Sequence, residues 1–328
     1  MLIKLHAYTA VYFDTLQVKW SHPFSELKFE RLDCDEQPDF RCLSNAVFWN
    51  GDVYVSGGDT LCKYSVSRNT WDELQTPVIP EGINHYKVAM YQSKLLLIGA
   101  TGKVWEFDKS GESGAILFKE SRTIPTRPVY CLFSLSNSSV ASGNNYLVVS
   151  HICGILSEDI HLDIFDSCSW NEVVFTPSFS QHQWQDLVVH NDTIFIIYSN
   201  QVYKASAKLL IDRSSEEDLW QRLGDYPSSH HSNVIIHNRQ LVAVHIDGES
   251  KELYCFANFP DHQSWVEMGK SRCSFTRNPE IIGLPDGAVL ALNNDLVMKQ
   301  LALENDLVME LPECTKIVDI LRIGPKGT

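Results

Sequence analysis

Histidine, tyrosine, tryptophan and arginine recur in short polar segments, each standing just ahead of an apolar run. They are His85-Tyr86, Arg127 with Tyr130, His182 with Trp184, His230-His231 and Arg277-Asn278, with Arg41 and Asn45 ahead of the first run. A second set follows later apolar runs: Asp59, Thr101, His151, Asn200, Asp247 and Asn293. Tyr, Trp and Arg combine large contact area with a polar handle, the chemistry of a binding hot spot. Four of the histidines, His85, His182, His230 and His231, raise the question of a metal. They come from three separate segments without a local ligand spacing such as His-x-x-x-His, so no metal and no cofactor is expected. The chain carries no nucleophile elbow and no glycine-rich phosphate cradle. Gly57-Gly58 is punctuation at a strand end.

The elements that would position these residues are β-hairpins. Five times, an apolar run meets a short polar turn and a second apolar run answers it. Ala46 to Val55 around Asn50-Gly51 and Asp186 to Ile196 around Asn191-Asp192 are the clearest copies. Val88 to Leu97, Val234 to Val242 and Ile281 to Leu290 are the others. Asn, Asp and Gly tolerate the positive φ of tight turns, and β-branched and aromatic residues suit the flanking strands. The turns recur at a near-constant interval: 47 residues from Asn191 to Asn238, 48 from Asn238 to Asp286 and 43 from Asn50 to Ser93. A period in the forties marks a repeat architecture.

Each hairpin is followed by a third apolar segment with an aromatic, such as Tyr64, Trp105, Phe165, Tyr203 or Tyr254. A fourth segment then opens on tryptophan: Trp71-Asp72-Glu73-Leu74, Trp170-Asn171-Glu172-Val173, Trp220-Gln221-Arg222-Leu223 and Trp265-Val266-Glu267-Met268. Four strands per repeat around an axis make a β-propeller blade, so the fold class is all-β, with four-stranded antiparallel blades. The periodic tryptophan is expected to fill the wedge between adjacent blades.

Val53-Tyr54-Val55-Ser56-Gly57-Gly58, then Tyr64, then Trp71 resembles the kelch repeat, and Phe107-Asp108 and Phe165-Asp166 resemble its third-strand aromatic-Asp. The resemblance covers nearly the whole chain, although only the first repeat keeps Gly-Gly; a WD-type propeller is the structural runner-up. Outer strands counted near Phe29, Trp71, Ile116, Trp170, Trp220, Trp265 and Val308 give seven blades. An inner strand at Lys316 to Leu321 would pair with N-terminal strands, including Leu2 to Tyr8 and Tyr12 to Asp14, to close the ring. Six blades with appended strands is the alternative. Residues 1–328 read as one domain, because repeats share a continuous core.

Composition bounds the function. The net charge of −14 argues against nucleic acid and anionic membrane as main partners. The apolar runs are strand length, and no secretory leader is visible at Met1 to Tyr8. Nine scattered cysteines, an odd number without C-x-x-C pairs, read as reduced thiols in a cytoplasmic protein. The kelch resemblance implies a non-catalytic module that binds another protein, as in ligase substrate-recognition parts or cytoskeletal adaptors. No BTB or F-box segment is present. Its alternative implication is a copper radical oxidase, whose chemistry needs two His, two Tyr and a Cys cross-linked to one Tyr. The binding candidates are His85, Tyr86, Arg127, Tyr130, His182, Trp184, His230, His231, Arg277 and Asn278.

Overall fold

The computed structural model describes residues 27–32, 39–40, 45–57, 60–74, 86–99, 102–108, 117–123, 139–142, 145–152, 159–176, 184–198, 201–212, 219–225, 233–237, 240–247, 250, 252–258, 265–272, 280–283, 289–302 and 308–325. The hairpin turns take the backbone their residues favour. Asn50 and Gly51 have φ of 50° and 91°, Gln92 and Ser93 of 49° and 61°, and Asn191 of 52°. Two consecutive left-handed residues reverse the chain with the twist that strands require. The ladder is tight across the first turn, where Trp49 pairs with Asp52.

Each hairpin grows into an antiparallel sheet in chain order. Sheet 1 consists of Asn45–Trp49, Asp52–Gly57, Thr60–Ser65 and Thr70–Leu74. Sheet 2 spans Tyr86–Tyr91 to Leu117–Thr123 and sheet 3 Ser139–Ser142 to Trp170–Phe175. Sheet 4 spans Trp184–His190 to Gln221–Asp225, with a short helix, Ala207–Asp212, before its last strand. Sheet 5 spans Asn233–His237 to Trp265–Arg272. Sheet 6 joins Glu280–Gly283, Val289–Ala302 and Val308–Pro325 to the N-terminal strand Leu27–Leu32, with the two-residue strand Asp39–Phe40 also pairing with Val308–Pro325. The first strands of successive sheets are neighbours, and that of sheet 6 returns to that of sheet 1. This is a propeller arrangement of antiparallel sheets, four-stranded except for sheet 6, to which Asp39–Phe40 adds a short fifth strand.

The described residues hold six sheets, fewer than the seven outer strands counted from the sequence. Two of those seven, at Phe29 and at Val308, belong to one sheet, with Phe29 opposite Ile323. Lys316 to Leu321 does not start a further inner strand. It continues the strand Val308–Pro325, which pairs with Val289–Ala302 along its length. The polar run Asn293-Asn294-Asp295 imitates a turn in sequence, but here the ladder only shifts register and goes on. Leu2 to Tyr8 and Tyr12 to Asp14 lie outside the described residues.

Between sheets, apolar faces interlock. Val53, Val55 and Tyr64 of sheet 1 meet Ile282, Leu290 and Leu292 of sheet 6, and Leu95 and Leu97 of sheet 2 meet Trp49 and Tyr54 of sheet 1. The outer-strand tryptophans sit in these seams, partly buried: Trp71 between sheets 6 and 1, Trp170 between 2 and 3, Trp220 between 3 and 4, and Trp265 between 4 and 5. Each of the first three packs its ring on an aromatic: Tyr64 at 5.0 Å, Phe165 at 5.1 Å and Phe175 at 4.9 Å.

Candidate functional site

The first strand of every sheet carries a polar residue at one register level. In sheet 1 it is Asn45, paired with Ser56; in sheet 2 Lys87, paired with Ile98; in sheet 3 Ser139, paired with Ser150. In sheets 4, 5 and 6 the residues are Asp186, Asn233 and Glu280, paired with Ile197, Val244 and Leu292. The residue that follows each is apolar: Ala46, Val88, Val140, Leu187, Val234 and Ile281. By residue type, the inner strands thus pass from polar to apolar at one register level, a ring of positions around the axis.

Two members show what the ring does. Asn45 reaches across the seam to sheet 2: its Oδ1 accepts the Val88 N–H at 2.9 Å and its Nδ2 donates to the Val88 carbonyl at 2.5 Å. The Ser56 hydroxyl, fully buried, donates to the same Oδ1 at 2.9 Å. Asp186 makes the matching contact from sheet 4 to sheet 5, where its Oδ2 accepts the Val234 N–H at 2.8 Å. Its Oδ1 takes the N–H of Leu187, also at 2.8 Å. Such contacts satisfy backbone donors on strand edges that face the axis, where no further strand is present. The far end of the inner strands has its own clasp. Trp49 Nε1 donates to the Ser93 carbonyl at 2.9 Å, and the Tyr91 hydroxyl to the Asn145 carbonyl at 3.1 Å, each reaching the hairpin turn of the next sheet.

The ring holds charge. Lys87 is only 6% exposed. Burial pushes the Asp186 carboxyl up from 3.8 to about 6, although the N–H groups of Val234 and Leu187 and then the positive Lys87 pull it back. Asp186 nonetheless keeps part of its surface open.

Of the ten residues singled out as binding candidates, Tyr86 and Trp184 begin the inner strands of sheets 2 and 4. The other eight, His85, Arg127, Tyr130, His182, His230, His231, Arg277 and Asn278, lie outside the described residues. Lys87 and Asp186 escaped notice in the sequence, although a signal was present. Asn45, Lys87, Asp186 and Asn233 each stand five residues before the first residue of a hairpin turn, Asn50, Gln92, Asn191 and Asn238. Aligning the repeats on their turns, rather than on apolar runs, brings them into one column.

Elsewhere, His161 is nearly buried in sheet 3 and its Nδ1 lies 2.9 Å from Glu172 Oε1. Cys62, buried, has its thiol pushed up to about 12 by burial and by Glu73, while Cys168 is exposed; both are free thiols. Among the described residues no three His, Cys, Asp or Glu side chains gather as metal ligands. No helix among the described residues is long and apolar enough to cross a membrane.

No family model matches the chain, and no curated protein matches it in sequence. Solved structures do match in shape. A luciferin-regenerating enzyme superposes with a TM-score of 0.55 at 9% identity, over 92% of this chain and 96% of its own. A fungal alcohol oxidase of the AA5 family, in complex with copper, superposes at 0.50 and 10% identity, over 91% of this chain and 76% of its own. The WD40 domain of SCAP from fission yeast gives 0.40 at 11% identity, over 88% and 85%. At such identities a likeness in shape speaks to fold and leaves activity open. What this chain shares with the first two is the β-propeller arrangement of antiparallel four-stranded sheets.

Proposed function

We propose that this chain is a closed six-bladed, kelch-like propeller that binds another protein through one face and catalyses no reaction of its own. The observation that carries this reading is the common direction of the inner strands. Asn45 clasps Val88 and Asp186 clasps Val234 at the starts of successive inner strands, while Trp49 reaches Ser93 at the other end. The segments leading into the inner strands therefore join the ring at one end. All ten candidates belong to those segments or to the first residue of the strand that follows. A face assembled from several aromatic and arginine-bearing segments suits a protein surface, since hot spots concentrate in such residues.

The test is affinity capture from lysate with the wild-type chain and single substitutions. Trp184→Ala or Tyr130→Ala should cost about 2 kcal/mol or more of binding, roughly thirtyfold in affinity. Glu73→Ala, on an outer strand, should leave capture intact. Elemental analysis of the same preparation bears on the oxidase alternative. Stoichiometric copper with oxidation of small alcohols, or capture indifferent to every face substitution, would overturn the proposal.

A further inference from the structure

Sheet 6 outgrows the other sheets. The second strands of sheets 1 to 5 have six to eight residues, whereas Val289–Ala302 has 14 and its partner Val308–Pro325 has 18. Leu292, opposite Glu280, stands at the ring level. Residues 293–302 run past it, on the side from which the inner strands enter, and their ladder continues until Ala302 stands opposite Val308. At about 3.3 Å per residue, this arm is about 33 Å long. Its two edges differ. Leu27–Leu32 reaches only to Ile320 and Asp39–Phe40 only to Thr315, so among the described residues no strand pairs with the outward edge over residues 308–314. That edge carries Pro312, which lacks an N–H, the acidic Glu310 and Glu313, and a register shift that leaves Glu313 out of the ladder. Proline, charge and bulges are how sheets keep an edge from pairing. Toward the axis, Glu280–Gly283 covers residues 289–292, and no strand among the described residues pairs beyond them. This inward edge, Asn294-Asp295-Leu296-Val297-Met298-Lys299-Gln300, holds no proline and one charge of each sign.

We propose that residues 293–302 join two copies of this chain, edge to edge and antiparallel, about a two-fold axis at Val297. In that register Val297 meets the partner's Val297, and Leu296 stands opposite the partner's Met298. Asp295 stands opposite the partner's Lys299, and Asn294 opposite the partner's Gln300. Apolar types meet apolar, amide meets amide and each charge meets its opposite, twice over because the two-fold repeats every pair. A lone lysine discourages edge pairing, but here Asp295 supplies its complement. Parallel pairing would set Lys299 against the partner's Lys299, and a slip of one residue would set it against the partner's Asn294 or the partner's Leu296. The lengths agree as well. Ala302 falls opposite the partner's Leu292, so each arm spans to the ring level of the other copy, with the two faces about 33 Å apart. The inference goes beyond capture of a different protein and does not depend on it.

The experiment measures the mass of the full chain by light scattering after size exclusion, over a dilution series. A dimer that dissociates on dilution is expected. Lys299→Glu and Asp295→Lys each set like charges opposite one another at both ends of the register, and each should weaken the dimer roughly tenfold or more. Mixed in equal amounts, the two variants should pair with each other, because every facing pair is then opposite in sign. Circular dichroism melts check that both are folded. Val297→Cys leaves the charges alone and decides the matter if either charge variant does not fold. Opposite its own copy, it should form an interchain disulfide with oxidised glutathione, seen on a non-reducing gel, where the wild-type chain does not. A wild-type chain that is monomeric at every concentration, single variants as dimeric as wild type, or a mixture that stays monomeric would overturn the inference. So would Val297→Cys cross-linking no more than wild type.

Discussion

Asp186 and Asn45 stand at one register position and receive the same kind of backbone N–H, yet only Asp186 carries a charge. An amide suffices for the clasp, so the charge at Asp186 is an added cost. Burial holds its carboxyl near 6 in the folded chain, against 3.8 ordinarily. Between those values the folded state binds more protons than the unfolded one, so this group's contribution to stability falls as pH rises from about 4 through 6 and stays low above. The full difference corresponds to about 3 kcal/mol at neutral pH. Asp186→Asn keeps an acceptor for Val234 and removes the charge. It should raise stability at pH 7.5 by about 1–3 kcal/mol, the gain being limited because Lys87 loses a nearby negative charge. It should also flatten the fall between pH 5 and 7.5 in urea unfolding. A variant with the wild-type pH slope would show that Asp186 titrates as an ordinary carboxylate.

At the scale of the strand, hairpin and outer tryptophan divide the work. The hairpin turns fix register by backbone conformation, and the seam tryptophans set how closely two sheets approach. Because Trp170 and Trp220 are partly exposed, truncation to alanine should cost about 3 kcal/mol, the lower end of the range for large aromatic residues. Met90→Ala, at a residue 41% exposed, should change thermal stability much less. Equal melting temperatures for Trp170→Ala and wild type would refute the wedge role. These elements were legible in sequence because turn residues, strand alternation and tryptophan spacing are local signals. The ring was not, because Asn45, Lys87 and Asp186 look like ordinary strand-edge polar residues until neighbouring sheets bring them to one height.

Across the whole molecule, closure depends on strands from opposite ends of the chain. Leu27–Leu32 is the outer strand of sheet 6 and pairs with Val308–Pro325, about 290 residues later. Removing residues through Leu32 would leave the Ile320–Pro325 end of that strand as an open edge, a template for pairing with other chains. Such a truncated chain should melt earlier than the full chain and elute in part as larger oligomers by size-exclusion chromatography; unchanged elution and melting temperature would show that this strand does not secure the ring. The repeat period, the four-strand unit and the all-β class were determined by the sequence itself, because apolar alternation and turn chemistry act within a few residues. The sheet that joins the two ends, and with it the number of sheets, was decided only in three dimensions. Phe29 and Val308 each look like the end of a separate repeat, and strand pairing over so long a separation leaves no periodic trace. The same holds for the charged ring, whose chemistry exists only where separate inner strands converge on one axis.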